Sequence, residues 1–135
     1  MELYKAFKIS AAGMRAQGTR LRIAAENVAN PDRLPTAQGQ DPYPRKLLTF
    51  KNVMDREVGG KLVKVNKVMT DKSDFGMKYE PSHPAANDQG YVQTPNVETL
   101  VEMMDLREAQ RSYEANLNVI QSSRSMLLKT LDILQ

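Results

Sequence analysis

The sequence contains no cysteine and no tryptophan, and it has a single histidine. The missing cysteines exclude disulfides, thiolate metal ligands and a cysteine nucleophile. One histidine excludes zinc sites that need two or three imidazole ligands. Aromatic residues make up 6% and apolar residues 41% of the 135 positions. Any hydrophobic core is therefore modest in size and mainly aliphatic.

Long apolar runs are also missing. No stretch approaches the roughly 20 apolar residues of a membrane span. Lys5, Lys8 and Arg15 interrupt the first 30 residues, so no secretory signal is recognisable. Nineteen Lys and Arg against sixteen Asp and Glu give a net charge of +3, which is too small by itself to indicate nucleic acid or an anionic membrane as a partner. We expect that the chain does not insert into a membrane. If it is exported from the cytoplasm, we expect export without a cleaved signal peptide.

The prolines divide the chain into three segments. All seven lie between residues 31 and 95, and a proline inside a helix costs roughly 3 kcal/mol. This predicts an N-terminal helix over 1–30, strands and loops over 31–95, and a long C-terminal helix over 96–135. Asn96 is the expected N-cap of the second helix. The predicted fold class is α+β, with long terminal helices that pair as a coiled coil and a small β/loop middle segment.

Both helical segments carry apolar residues seven positions apart, the spacing of paired helices. In the first segment small residues such as Ala11 and Gly18 run beside this row, which would let another helix approach closely. The first segment has five Lys/Arg against two Asp/Glu and the last has four against six, so opposite charges favour their pairing. Ordinary core packing or two separately solvated faces would give the same pattern. The heptad residues predicted for an assembly interface are Phe7, Met14, Leu21 and Val28, together with Met103, Leu106, Tyr113, Leu117, Ile120, Leu127, Leu131 and Leu134.

The middle segment has the composition of short strands and loops. Apolar and β-branched residues predict strands over 46–51, 61–69 and 75–79. Proline, glycine and asparagine predict loops over 31–45 and 81–95. Three short strands bury little surface, so we expect them to pack on the helices or on a neighbour.

No group of residues predicts catalysis. A Ser–His–Asp arrangement would need His83, which lies in a loop-like run, so a surface histidine is the simpler interpretation. Lys61, Lys64 and Lys67 lie on a predicted strand without interleaved aromatic residues, which favours protection of a strand edge over nucleic-acid binding. We therefore expect no enzymatic activity, no cofactor, no metal site and no nucleic-acid partner.

The ends of the chain resemble a known family. Asn27-Val28-Ala29-Asn30, which closes the first helix, resembles the Asn-Ile/Val-Ala-Asn signature of the flagellar rod and hook protein family. The run from Gly90 to Val97, followed by 111–116 and 125–131, is more specific and is similar to the proximal-rod members. The resemblance adds Asn27 and Asn30 to the predicted assembly interface. Pro31 and the residues after it depart from the small residues and threonine that often follow the signature.

The resemblance implies a non-enzymatic subunit of a hollow helical rod that crosses the periplasm, with the terminal helices in its inner layer. It implies homo- and hetero-oligomeric assembly with other proximal- and distal-rod proteins and with the junction protein at the rod base. It also implies export through the flagellar type III export apparatus without a cleaved signal. The residues alone leave open a soluble helical adaptor that binds partner helices without polymerising.

Overall fold

A computed structural model describes residues 2–135, with two long helices and two small sheets in that range. β1 pairs with β2, and β3 pairs antiparallel with β4. The elements are α1 (Glu2–Ala29), β1 (Lys46–Asp55), β2 (Gly60–Thr70), β3 (Gly76–Tyr79), β4 (Tyr91–Thr94) and α2 (Thr99–Ile133). The predicted α+β fold, in which two long terminal helices pack together beside a small β segment, is confirmed.

The strand predictions are correct in place but incomplete. β1 begins at Lys46 as expected and continues to Asp55, four residues beyond the predicted end. The expectation that 81–95 is entirely loop is wrong, because Tyr91–Thr94 forms β4. This strand escapes detection since Val92 is its only fully buried residue. A single inward position leaves no alternating pattern to recognise.

The start of α2 differs from the prediction. Asn96 does not cap the helix, which begins at Thr99. Its side-chain amide donates hydrogen bonds to the carbonyl oxygens of Asp71 and Ser73, at 3.2 and 3.1 Å. Its side-chain oxygen accepts a 2.7 Å hydrogen bond from the backbone N–H of Arg45. Asn96 is a good capping residue by type. Here, however, its side chain forms hydrogen bonds with loop backbone groups that are distant in the sequence, instead of with the start of α2.

The chain forms two compact units. The first contains residues up to Leu21, Leu48–Lys67 and Arg107–Gln135, and the second contains Arg22–Leu47 and Val68–Leu106. Each has a small core of its own, as the aliphatic composition predicts. The buried apolar residues of the first are Ala16, Val58, Leu62 and Ala109, and those of the second are Ile23, Ala24, Ala85 and Val92.

Candidate assembly interface

In the first unit α1 and α2 pack against each other in opposite directions. A Cβ atom built on Gly13 would lie only 2.8 Å from Nδ2 of Asn116. Two turns further along α1, Arg20 forms a 3.5 Å ion pair with Glu108. Residue numbers therefore rise along α1 while they fall along α2. A side chain at position 13 of α1 would therefore fit only if the amide group of Asn116 shifted.

Small side chains make this close approach possible. A Cβ atom added at Gly18 would have Cε2 of Tyr113 as its nearest neighbour, at 4.0 Å. The buried residues of the two helices in this unit are small, and they are Ser10, Gly13, Ala16, Ala109 and Ser123. Of the small residues predicted to let another helix approach, Gly18 lies next to Tyr113, but the closest contact, at Gly13, is outside the predicted rows.

The large apolar residues of the predicted interface are not the most buried residues of the helix pair. Of the fourteen, only Asn27 is fully buried in the single chain. Those with intermediate exposure are Met14, Leu21, Val28, Asn30, Leu106, Tyr113, Leu117 and Ile120. Those that are exposed are Phe7, Met103, Leu127, Leu131 and Leu134. The small residues fill the seam, so most of the large ones keep surface that a neighbouring molecule can cover.

The end of α2 is the most apolar exposed surface of the first unit. Every residue from 124 to 135 is exposed. Besides the predicted Leu127, Leu131 and Leu134, the exposed apolar residues there are Met126, Leu128 and Ile133. The heptad pattern missed these three because it follows one stripe, whereas this end of the helix is apolar around most of its circumference. A helix with that pattern is normally buried.

In the second unit Asn27 joins three parts of the chain. Its side-chain amide donates to the carbonyl oxygen of Lys46 at 2.7 Å and to Oε2 of Glu102 at 3.1 Å. Its side-chain oxygen accepts from the backbone N–H of Lys46 at 2.9 Å and from the Tyr43 hydroxyl at 3.0 Å. All four hydrogen-bonding positions of the amide are used. Asn27 therefore fastens the end of α1 to the start of β1 and to α2.

Glu102 is the charged centre of this network. Its side chain is 1% exposed, and Oε1 accepts a hydrogen bond from Nε of Arg45. Nη1 of Arg45 in turn pairs with Asp71 at 3.2 Å. A buried carboxylate is costly unless a cation and hydrogen bonds compensate it, and Arg45 and Asn27 provide both. Local sequence patterns do not reveal this contact, because Glu102 and Arg45 lie 57 positions apart.

Three groups around Glu102 have shifted pKa values, those of Arg45, Asp71 and Tyr43. Burial acts to lower the pKa of Arg45, but the hydrogen bonds and charges of Glu102 and Asp71 outweigh it and raise that pKa. Hydrogen bonds from Ser73, followed by Arg45, hold the pKa of Asp71 below its usual value. Burial raises the pKa of Tyr43, so its hydroxyl remains a donor to Asn27. The direction of each of these three shifts favours the protonation state that its hydrogen bonds require.

A second polar cluster, in the first unit, ties α1 to the turn between β1 and β2. Lys8 pairs with Asp55 at 3.6 Å and also with Glu57. Oδ1 of Asp55 accepts hydrogen bonds from the backbone N–H groups of Glu57 and Val58, at 2.9 and 3.0 Å. Gly59 completes the turn with φ of +68°, a conformation that favours glycine. Lys8 therefore holds the hairpin tip on the first turns of α1.

The candidate catalytic histidine is engaged within its own turn. Nδ1 of His83 accepts a 3.0 Å hydrogen bond from the backbone N–H of Ala85. Among residues 2–135, no three His, Asp or Glu side chains are grouped closely enough to hold a metal ion. Within the same range, neither helix has the length and apolarity needed to cross a membrane.

Comparison with known proteins identifies the family. The family described as "Flagellar basal body rod FlgEFG protein C-terminal" matches residues 88–133. The flagellar basal-body rod protein FlgC of Agrobacterium fabrum is 46% identical over 133 residues, which cover 98% of this chain and 96% of that relative. The chain belongs to the FlgC family of flagellar basal-body rod proteins.

Two further FlgC proteins match the chain over nearly its whole length. The FlgC proteins of Bacillus subtilis and Salmonella typhimurium are 36% and 39% identical to the chain. Each alignment covers 98% of this chain and at least 98% of the relative. The resemblance to the flagellar rod and hook family is thereby confirmed. The C-terminal family match spans β4 and α2, and so includes Glu102, the seam of α2 and its exposed apolar end.

Proposed function

We propose that this member of the FlgC family is a structural, non-enzymatic subunit of the flagellar basal-body rod, and that it assembles through the apolar surfaces of its terminal helices. Family membership supports the place in the rod. The exposed apolar end of α2 is the observation that supports the mode of assembly. Covering a large aliphatic side chain is worth about 1.5–3 kcal/mol, so a few such residues per subunit give a favourable contact.

The exposed residues are spread over both helices. Phe7 on α1 and Met103 on α2 are about half exposed, as is Leu127 further along α2. Surfaces of this kind mark sites of protein association. We infer contacts with copies of the same chain and with other rod proteins, proximal and distal. An adaptor that binds a partner helix without polymerising is not favoured, because the curated relatives are rod proteins.

The remaining parts of the proposal concern location and delivery. We propose that the subunit lies in the periplasmic part of the basal body and contacts the junction protein at the rod base. We also propose that the flagellar type III export apparatus delivers it without cleavage of a signal peptide.

The test is to locate the protein in purified hook–basal bodies. A strain that lacks the gene is complemented with a tagged chain, and its basal bodies are isolated. We expect the chain in the rod fraction, restored swimming, and an intact mass that shows no cleaved leader. Normal swimming with the chain absent from basal bodies would contradict the rod assignment. A shortened mature chain in the rod would contradict only the proposed route.

A further inference from the structure

The two compact units carry opposite charge. The first has thirteen Lys and Arg against six Asp and Glu, a net charge of +7. The second has six against ten, a net charge of −4. Between copies, like units repel each other and unlike units attract. This division favours contacts in which the first unit of one copy meets the second unit of another.

The basic unit has an exposed apolar face on its hairpin. Nδ2 of Asn66 donates to Oγ1 of Thr49 at 3.3 Å, so these two side chains share one face of the β1–β2 pair. Side chains alternate between faces along a strand. Phe50 and Met54 therefore lie on the opposite face, where they are 39% and 62% exposed.

The same alternation places two lysines on this face. Lys61 and Lys67 are separated from Asn66 by odd numbers of residues along β2, and both are exposed. The face that carries Thr49 is turned towards α1, because Asp55 on that side pairs with Lys8. The outward side thus combines an apolar centre with lysines at its margin. We name it the basic face: Phe50, Met54, Lys61 and Lys67.

The acidic unit has an exposed aromatic face on its small sheet. The register pairs Met77 with Gln93 and Tyr79 with Tyr91, while Val92 points to the buried side. Met77 and Tyr79 are 55% and 64% exposed. The two tyrosine rings contact edge to face, with centroids 5.3 Å apart. They form a preassembled aromatic surface.

Two carboxylates flank this surface. Asp74 precedes β3 and Asp88 lies in the turn before β4. Both are exposed, and neither forms an ion pair with another of residues 2–135. A hollow of about 320 Å³ beside the sheet is lined in part by Met77 and Tyr91. We name this surface the acidic face: Asp74, Met77, Tyr79, Asp88 and Tyr91.

We propose that the basic face of one copy docks on the acidic face of the next copy. The apolar centres meet, the lysines reach Asp74 and Asp88, and a lysine over a tyrosine ring adds a cation–π contact. Two basic faces repel each other, and so do two acidic faces. The contact therefore joins two different surfaces, which makes it heterologous. A heterologous contact that does not close into a ring produces an open helical array. The inference thus rests on the proposed rod function and deepens it by naming the surfaces involved.

Cysteine pairing tests the contact directly, because the chain has no cysteine of its own. Full-length Met54→Cys and Tyr79→Cys chains are purified, mixed and oxidised, and the same pair is co-expressed in basal bodies. We expect the mixed disulfide to exceed either homotypic disulfide by about tenfold and to weaken as salt is raised from about 0.05 to about 0.5 M. Homotypic disulfides in equal yield, or no mixed disulfide in either preparation, would overturn the proposal.

Charge reversal supplies a matched control. Lys61→Glu/Lys67→Glu alters the basic face, whereas Lys51→Glu/Lys64→Glu makes the same charge change on the other side of the hairpin. We expect the first pair to reduce the mixed disulfide about tenfold and the second to leave it within about twofold. Asp74→Lys/Asp88→Lys on the other copy should restore the yield of mixed disulfide with the Lys61→Glu/Lys67→Glu chain. Equal loss from both lysine pairs would mean that only net charge matters, and the proposed docking would be wrong.

The outcomes also separate this inference from the rod function. A chain that enters basal bodies but gives no mixed disulfide there or in solution contradicts the docking and leaves the function intact. A mixed disulfide in the purified chain, with the required charge dependence, supports the docking even where the chain is absent from basal bodies. In that case only the rod function fails.

Discussion

The side-chain amide of Asn27 donates a 3.1 Å hydrogen bond to Glu102, and both side chains are only 1% exposed. The contact joins the end of α1 to the start of α2 within the second unit. Because Arg45 supplies the cation that this buried carboxylate needs, a slip of α2 by one residue would bury a charge without its partner. Buried polar pairs of this kind can fix the register of paired helices.

Replacement of Glu102 should therefore be costly. Glu102→Ala leaves Arg45 and Asn27 without their acceptor, and we expect the free energy of unfolding to fall by about 2–4 kcal/mol. Glu98→Ala removes the same charge from a less buried site one turn earlier, and we expect a change of about 0.5 kcal/mol or less. Urea unfolding followed by circular dichroism measures both. Similar losses in the two variants would contradict a special role for the buried carboxylate.

Stability should decline in acid because of the shifted carboxyl groups. Hydrogen bonds from Ser73 lower the pKa of Asp71 below 3.8, and a hydrogen bond from Lys46 lowers that of Glu26 below 4.5. A carboxyl with a lowered folded-state pKa stabilises the fold above its unfolded-state pKa, and this contribution is lost as the pH falls through the folded-state pKa. We expect a plateau near neutral pH and a decline that starts at about pH 4.5.

A pair of variants isolates the part of this acid dependence that belongs to Asp71. Asp71→Asn should flatten the decline measured by urea unfolding at successive pH values. Asp74→Asn removes a charge of the same sign three residues away and controls for the change in net charge. An unchanged profile in Asp71→Asn would show that its hydrogen bonds to Ser73 do not contribute.

Two glycines of α1 should respond in opposite directions to alanine. At Gly18 an added Cβ meets nothing closer than 4.0 Å, so Gly18→Ala should gain up to about 1 kcal/mol from helix propensity. At Gly13 it would lie 2.8 Å from Asn116, and the overlap should make Gly13→Ala about 1–3 kcal/mol less stable than Gly18→Ala. Thermal unfolding compares the two. Adding Asn116→Ala should recover the stability that Gly13→Ala loses. If the double variant is no more stable than Gly13→Ala, the steric explanation is wrong.

The heptad spacing predicted the paired helices correctly but not the centre of their contact. Rows of large and small residues share the same seven-residue period, so periodicity cannot decide which row lies at the seam. The contact between Gly13 and Asn116 involves neither the large row nor the small row beside it, and residues such as Phe7 are left with exposed surface. Which rows face each other depends on how the two folded helices pack, and the seven-residue period alone does not determine it.

The polar network shows a different limit of sequence reasoning. Asn27 entered the candidate site only through the family signature, whereas Glu102 and Arg45 were not predicted to belong to the assembly interface. Each looks like an ordinary surface residue in its local sequence, and only the fold places them together. Similarly, Asn96 is a suitable helix cap by residue type, but the loop backbone at Asp71 binds it instead. In each of these contacts the partner is distant in the sequence, so a local pattern cannot predict it.

A charge on the exposed apolar end of α2 should separate folding from assembly. Leu127 is half exposed in the single chain, so Leu127→Asp should leave the helical content of the purified protein unchanged. In the rod the same aspartate would be buried without a partner, which is strongly unfavourable. We expect non-motile cells and basal bodies that lack the chain, and the same result for Ile120→Asp. Gln121→Asp adds an equal charge at an exposed polar position of α2, and cells that carry it should swim normally. If cells with Leu127→Asp also swim, the Leu127 side chain faces solvent in the rod.

Hydrogen exchange should reveal the same surface without any mutation. Residues 124–133 have no buried side chain in the single chain, whereas the neighbouring seam contains the fully buried Ala109. Regions with few buried contacts open with little free energy, so we expect fast amide exchange over 124–133 in the purified monomer and slow exchange in isolated rods. The seam around Ala109 serves as the internal reference and should be protected in both samples. Strong protection of the free chain throughout 2–30 and 105–135 would mean that its helices are already fully stabilised before assembly, and the assembly proposed for α2 would lose its physical basis.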